Sequence, residues 1–534
     1  MEDQDHVEVN RSFVGQFPLN LISNILLFIV NVVTGFWLTP FFISTLGIAA
    51  YGLIPLAITV TTYLGLATRS LNFTVARYLT VDLQRQEYTR ANLTFNTAFF
   101  GIVGLAVFLV FPLVFLLAFN VDAVFNVPSG ELTDVIYLFL GIHISFLIRT
   151  VGSTFSVSFF AHNRLDLYNI VEAFGRILEV GLIVALFLWA APRLGYVGVA
   201  YLVTSFFLLF LMIGAWRVLT PQLSVRLRSF NRSSLKEMSV FGSWMLVNEI
   251  GSLLFLQVDL IIVNIFLGPF AGGEYAVALT WSILLRTMGG VLAGVIAPMI
   301  FIYYAREMFA EIKRMAISSV KCMGLALALP VGLICGFGSE LLTLWVGAEH
   351  AGLAPLLVLL VIPLGVNLAV LPLNHVAVSY SKVKIPGIAT IVLGAANVLL
   401  ALWLVVGAGW GVFGVAAAGA ILFTVKSSIF MPWYSAKVLS IPVRAFFKPL
   451  VAVAFATLAI ALVSLVLGGL VPIESWLELG VISGAIGILY LLFVWCCLFT
   501  EEERVIFGSL LPAQIRKFLV PSTGVDGSSP LEKY

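Results

Sequence analysis

Eight charged side chains deep within apolar runs of this 534-residue chain are the candidates for any chemistry it performs there. Four are basic (Arg149, Arg176, Arg286, Lys426) and four acidic (Glu172, Glu179, Glu249, Asp259). Glu172, Arg176 and Glu179 stand at i, i+4 and i+7, the spacing that puts three side chains on one helix face. Two readings of this triad stay open. It is a self-paired structural group, or it is a proton or ion site in which Arg176 tunes the acids. Arg176 can neutralise only one of them, and the surplus negative charge suits a cation or a proton. Glu249 and Asp259 are further ion-coupling candidates.

Arg149 shares a stripe with Ser145 and Ser156, and Arg286 follows Ser282 by one turn. Neither has an acid within one turn of its own helix. Each needs a partner elsewhere: Glu249 or Asp259, water, or a bound anion. A guanidinium binds phosphate through two parallel hydrogen bonds, which makes Arg149, Arg286 and Arg176 candidates for an anionic headgroup. Asn31, Asn248, Asn367 and Asn374 carry amides that both give and accept hydrogen bonds. They suit sugar hydroxyls, and they suit plain helix–helix contact in lipid, worth ~0.6–2 kcal/mol. Lys426 falls near the inner end of its apolar run, where it can snorkel to the interface.

The elements that hold these residues follow from composition. The chain is 61% hydrophobic and 10% charged, against about 25% charged in a soluble domain, and its mean hydropathy is +1.08. Only a bilayer offers solvent for so much apolar surface. At about 20 apolar residues per span, helices are expected at 19–45, 48–68, 93–118, 135–160, 167–190, 196–216, 240–267, 273–302, 317–338, 353–378, 386–407, 412–432, 449–470 and 478–498. The expectation is an all-α integral membrane protein of about 14 transmembrane helices. Lys and Arg distribution orients it. With residues 1–18 cytoplasmic, inner segments hold 24 of the 29 basic residues and outer loops only Arg193. An odd helix count would scramble that split. The four cysteines lie in apolar runs without metal-ligand spacing, so no disulfide, metal or cofactor is expected. GWGVFG at 409–414 joins two spans and is no dinucleotide loop. The absence of a phosphate-binding loop argues against an ATP-driven route. No sizeable extramembrane segment exists to house a polymerase or glycosyltransferase centre, and no enzyme is expected.

The two halves match at a nearly fixed offset. Pro112 and Phe119 match Pro330 and Phe337 at 218 residues, and Arg164 matches Lys382 at the same spacing. Val127 pairs with Val346 at 219, GYVGVA (195–200) with GVFGVA (411–416) at 216, and the LG at 46–47 with that at 267–268 at 221. Six helices per unit keep both copies in one orientation, a parallel repeat. The expected division is an N-lobe at 19–216, a cytoplasmic linker at 217–239, a C-lobe at 240–432, two extra helices within 449–498, and a cytoplasmic tail at 499–534.

The stretches TPFFISTLGIAAYGLIPLA (39–57), VARYL (75–79) and DLIIVNIFLGPFAGGEYAVA (259–278), with the two GxxGVA turns, resemble the polysaccharide-biosynthesis flippase branch of the multidrug/oligosaccharidyl-lipid/polysaccharide exporter superfamily. The resemblance covers most of 19–440. It implies two six-helix lobes around a cavity open to one side at a time. It also implies transfer of a polyprenyl-diphosphate-linked oligosaccharide from the cytoplasmic to the outer leaflet of the bacterial inner membrane. Membrane lipids and polysaccharide polymerase or assembly proteins are the implied partners; nucleic acid is not. Cation-coupled multidrug exporters share the fold, but they usually stop at twelve helices.

Overall fold

The computed structural model describes residues 2–65, 79, 82–83, 85–236, 250–251, 253–255 and 257–500. Among them there is helix and turn but no strand. The spans are α1 (Glu2–Leu46), α2 (Ile48–Leu64), α3 (Tyr88–Phe119), α4 (Leu132–Ala161), α5 (Leu165–Trp189), α6 (Leu194–Leu219), α7 (Val258–Leu267) and α8 (Pro269–Ala305). They continue with α9 (Phe309–Gly336), α10 in three pieces (Ala354–Val361, Leu364–Asn367, Pro372–Ser379), α11 (Lys384–Gly407), α12 (Gly411–Leu439), α13 (Arg444–Leu470) and α14 (Trp476–Leu498). Among the described residues, eleven helices are long and apolar enough to cross a membrane. Every 18-residue stretch of α5 carries Glu172, Arg176 and Glu179, and that charge alone keeps α5 out of the count. Described α2 and α7 are apolar but short. The chain is a multi-pass, all-α membrane protein.

The duplication read from sequence is present in the backbone. Gly47 and Gly268 turn α1 into α2 and α7 into α8 with φ of 83° and 90°, a conformation that favours glycine because a Cβ would clash. Non-glycine residues in the left-handed region also recur: Gln86 with Glu307 (59° and 56°), and Asn163 with Ser381 (54° and 55°). The hydrogen bonds around them repeat too. Glu87 donates to Asp82 O as Met308 does to Tyr303 O, and Arg164 donates to Phe159 O as Lys382 does to Ala377 O.

Packing divides the chain into two compact units. One holds residues up to Leu284 together with Lys384–Lys426; the other holds Leu285–Val383 together with Ser427 onward. In the first, Phe95, Phe155 and Trp216 stack between α3, α4 and α6. In the second, α9 lies against α13 through glycines. A methyl group at Gly332 would stand 2.6 Å from Ile460 Cβ, and Gly336 is as close to Ser464. Small residues let helix backbones approach where lipid gives no hydrophobic drive. The same spacing at Gly290–Gly294 and Gly480–Gly484 has nothing within 4 Å among the described residues. α10 breaks around Pro363 and Pro372, whose nitrogens cannot donate to the helical ladder.

Candidate functional site

In the first unit α4 and α6 cross where Gly141 meets Gly198 backbone to backbone, nearer than any side chain would allow. That crossing sets the register of the polar residues further along. The hydroxyls of Ser145 and Ser205 lie 2.6 Å apart. Arg149 Nε donates to Ser205 Oγ at 3.2 Å. α1 is fastened along α5. Asn20 Nδ2 donates to Asn163 at the α4–α5 turn, and Asn169 donates to Ser23 at 2.9 Å. Further along, Phe41 and Phe42 pack on Phe187.

Between these helices the three charges of α5 meet a fourth. Arg149 Nη1 lies 3.6 Å from Glu172 Oε2, and its Nη2 lies 3.5 Å from Glu179 Oε2. The other oxygen of Glu179 accepts from Arg176, whose Nε donates to Thr34 on α1 at 3.1 Å. Glu179 is therefore clamped between two guanidinium groups and is 3% exposed. Glu172 (25%), Arg176 (23%) and Arg149 (37%) reach open space. A charge at the bilayer centre costs at least ~2.5–3.5 kcal/mol on insertion scales. Pairing two Arg with two Glu offsets that cost. The surplus negative charge expected of the triad is cancelled by Arg149.

Two cavities meet at this cluster. One of about 360 Å³ is lined by α1, α2, α4, α5 and α6, including Asn31, Thr61, Arg149, Glu172, Arg176 and Tyr201. The other, of about 410 Å³, lies among α4, α5 and α6 and includes Ser153, Ser156, Ser205 and Met212. Arg149, Tyr168 and Glu172 belong to both walls. The arrangement presents a guanidinium, a carboxylate and tyrosine rings to a cavity among apolar helices. Such a surface can hold a hydrated polar or ionic group.

Of the residues picked from sequence, Arg149, Arg176, Glu172, Glu179 and Asn31 come together here. Asp259 does not pair with Arg149; it is buried on α7 and accepts from the Tyr275 hydroxyl at 3.0 Å. Arg286 is half-buried on α8 in the second unit. Asn367, at the break in α10, is buried and accepts from Ser428 at 2.7 Å. Asn374 is exposed. Glu249 and Asn248 lie outside the described residues. Tyr168, Tyr201, Thr34 and Ser205 went unnoticed in the sequence, because uncharged residues in a membrane span carry no distinguishing signal.

Lys426 also sits elsewhere than expected. The helix that carries it does not stop at 432 but runs on to Leu439, through a π-helical turn at Val425–Phe430. Lys426 is thus near the middle of a 29-residue span, about 20 Å from either end at 1.5 Å per residue. Its ammonium lies over the ring of Phe255, 5.2 Å from the centroid.

Comparison with known proteins agrees with this architecture. A family model described as polysaccharide biosynthesis protein matches residues 19–304. A membrane protein of Bacillus subtilis (strain 168), EpsK, described as uncharacterized, is 32% identical over 489 residues, covering 92% of this chain and 97% of its own. The fold is that of a structure described as the lipid II flippase MurJ in an inward closed conformation (TM-score 0.64, 14% identity, 92% of this chain and 100% of that one). It is equally that of an inward-facing multidrug resistance MATE family transporter of the MOP superfamily (TM-score 0.61, 16% identity, 77% and 94%). By the extent of the family match and the near full-length likeness to EpsK, the chain belongs to the polysaccharide biosynthesis protein family.

Proposed function

We propose that the chain is a flippase. It carries a polyprenyl-diphosphate-linked oligosaccharide from the cytoplasmic to the outer leaflet of the bacterial inner membrane, for O-antigen, capsule or exopolysaccharide synthesis. The lobes 19–216 and 240–432 alternate in access around the substrate, and both termini are cytoplasmic. The observation that carries this reading is the Arg149–Glu172–Arg176–Glu179 cluster opening on a cavity within apolar helices. A sugar headgroup cannot cross about 30 Å of hydrocarbon unaided, and a polar, ionisable wall is what its passage requires. Arg149, Arg176 and Arg286 are the headgroup candidates. Glu172, Glu179, Glu249 and Asp259 are the ion-coupling candidates, and Asn31, Asn248, Asn367 and Asn374 are the glycan-facing candidates. Polymerase and assembly proteins would take up the product.

A cation-coupled multidrug exporter is the second reading. The partly exposed Glu172 on the cavity wall favours it. Reconstitution decides between them. Proteoliposomes loaded with a fluorescent polyprenyl-diphosphate oligosaccharide should move it from one leaflet to the other, read by quencher access. Absence of that transfer, with uptake of a cationic dye into the same vesicles, would replace the flippase by the exporter.

A further inference from the structure

The arginines of the α4–α5 cluster are committed. Arg149 is shared among Glu172, Glu179 and Ser205, and Arg176 between Glu179 and Thr34. Any anion that binds them must first displace carboxylates already at contact distance. Lys426 is in the opposite condition. It lies mid-span and half-buried, and among the described residues no carboxylate pairs with it. Its four-carbon stem spans far less than the ~20 Å to either end of α12. The contact it does make is with the Phe255 ring, which is 2% exposed and steadied by Phe423 at 6.0 Å. A cation–π contact is worth ~0.5–2 kcal/mol, less than the ~2.5–3.5 kcal/mol that a mid-bilayer cation costs. The nearby acid does not make up the difference. Asp259 faces α12 at Gly419, seven residues from Lys426 and about 10 Å along the helix, and it is engaged with Tyr275. The π turn that holds Lys426 is itself a conformation enriched at functional sites.

We propose that Lys426 is an anion-binding residue, held on the Phe255 ring until a phosphate or other acidic group of the substrate replaces the water around its ammonium. The ligand class is a lipid-linked diphosphate, so this inference rests on the flippase reading and names a substrate contact within it. Lysine suits the task as a compact point charge on a flexible stem. The aromatic face keeps that stem from collapsing without competing as a carboxylate would.

The test uses the purified full-length chain and geranylgeranyl diphosphate as probe, with geranylgeraniol as the control lacking phosphate. Wild type should bind the diphosphate at least tenfold more tightly than the alcohol. K426Q should bring the two within about threefold of each other, and K426R should retain the preference. F255L should weaken diphosphate binding severalfold. A purely structural lysine makes a different pattern. K426Q would then unfold at a lower temperature and keep the diphosphate preference, and that result would overturn the proposal. So would a wild type that does not distinguish diphosphate from alcohol. Failure of the flippase reading is separately visible, as diphosphate binding that depends on Lys426 in a protein that moves no lipid-linked oligosaccharide between leaflets.

Discussion

The duplicated halves solve one position in two ways. At the 218-residue offset that relates Asn163 to Ser381, the residues Glu172, Arg176 and Glu179 of α5 correspond to Thr390, Gly394 and Asn397 of α11. Their helix neighbours correspond as well. α5 runs along α1, where Arg176 reaches Thr34. α11 runs along the helical residues that precede α7, where Asn397 Nδ2 donates to Leu254 O at 3.1 Å. In the second copy the helices touch. A methyl group at Gly394 would lie 2.9 Å from Leu254 Cβ, and one at Gly251 would lie 2.8 Å from Thr390. In the first copy long charged side chains replace the small ones, and a cavity of about 360 Å³ stands there. One backbone plan therefore yields a dry seam or a wet site according to three side chains per helix. Small residues let backbones close by packing, while paired charges need room for the solvation that makes them tolerable.

The contrast breaks most completely at Glu179. Glu179→Ala leaves two guanidinium groups facing each other at the cavity edge, and breaking a buried pair costs about 3–5 kcal/mol. Arg149 keeps Glu172 and is partly exposed, so the lower end of that range applies. Thermal unfolding in detergent should show a drop of several degrees, with polymer export lost. Unchanged unfolding would mean that the pairs do not hold α4 to α5. Replacing all four charges together, as R149M/E172L/R176M/E179L, removes the desolvation cost with the pairing. Stability should then return to about the wild-type value while export stays absent. Export from that variant would show the cluster to be scaffold alone. The converse change in the second copy is smaller. Gly394→Val forces a branched side chain into the α11 seam and should cost about 1–3 kcal/mol. Its export should fall only as far as protein level falls.

Much of this was legible before any coordinates. Hydropathy located the spans, the triad spacing put Glu172, Arg176 and Glu179 on one face, and the turn glycines marked the repeat. What escaped the sequence depends on how helices rotate against one another. Nothing local to Arg149 says that it points at α5, because the Gly141–Gly198 crossing fixes that rotation. Of the glycine pairs four apart at Gly290–Gly294, Gly332–Gly336 and Gly480–Gly484, only the second meets a neighbour closely among the described residues. Spacing states what a helix permits, and the neighbour decides. The depth of Lys426 was misjudged for a compositional reason. Trp433, Tyr434, Ser435 and Lys437 dilute the apolar run and hid the last turns of α12. The breaks in α10 were foreshadowed by Pro363 and Pro372, but a hydropathy window averages over them.

Asn397→Ala is the finest probe of the seam. It removes the bond from Nδ2 to Leu254 O, and interhelical polar contacts in membranes are worth ~0.6–2 kcal/mol. It also removes Asn397 Oδ1, a buried acceptor with no hydrogen-bond partner among the described residues. An unmet buried acceptor costs about 1–3 kcal/mol, so deleting it works against the loss. The expected net change is within about 1 kcal/mol in either direction, seen as a shift of a degree or two in unfolding temperature, with export unchanged. The equivalent position in the first copy is Glu179, where truncation costs several times more and abolishes export. If the two alanine variants proved equal in both measurements, the wet and dry copies would differ in appearance only, and the charges of α5 would have no role that a neutral side chain could not fill.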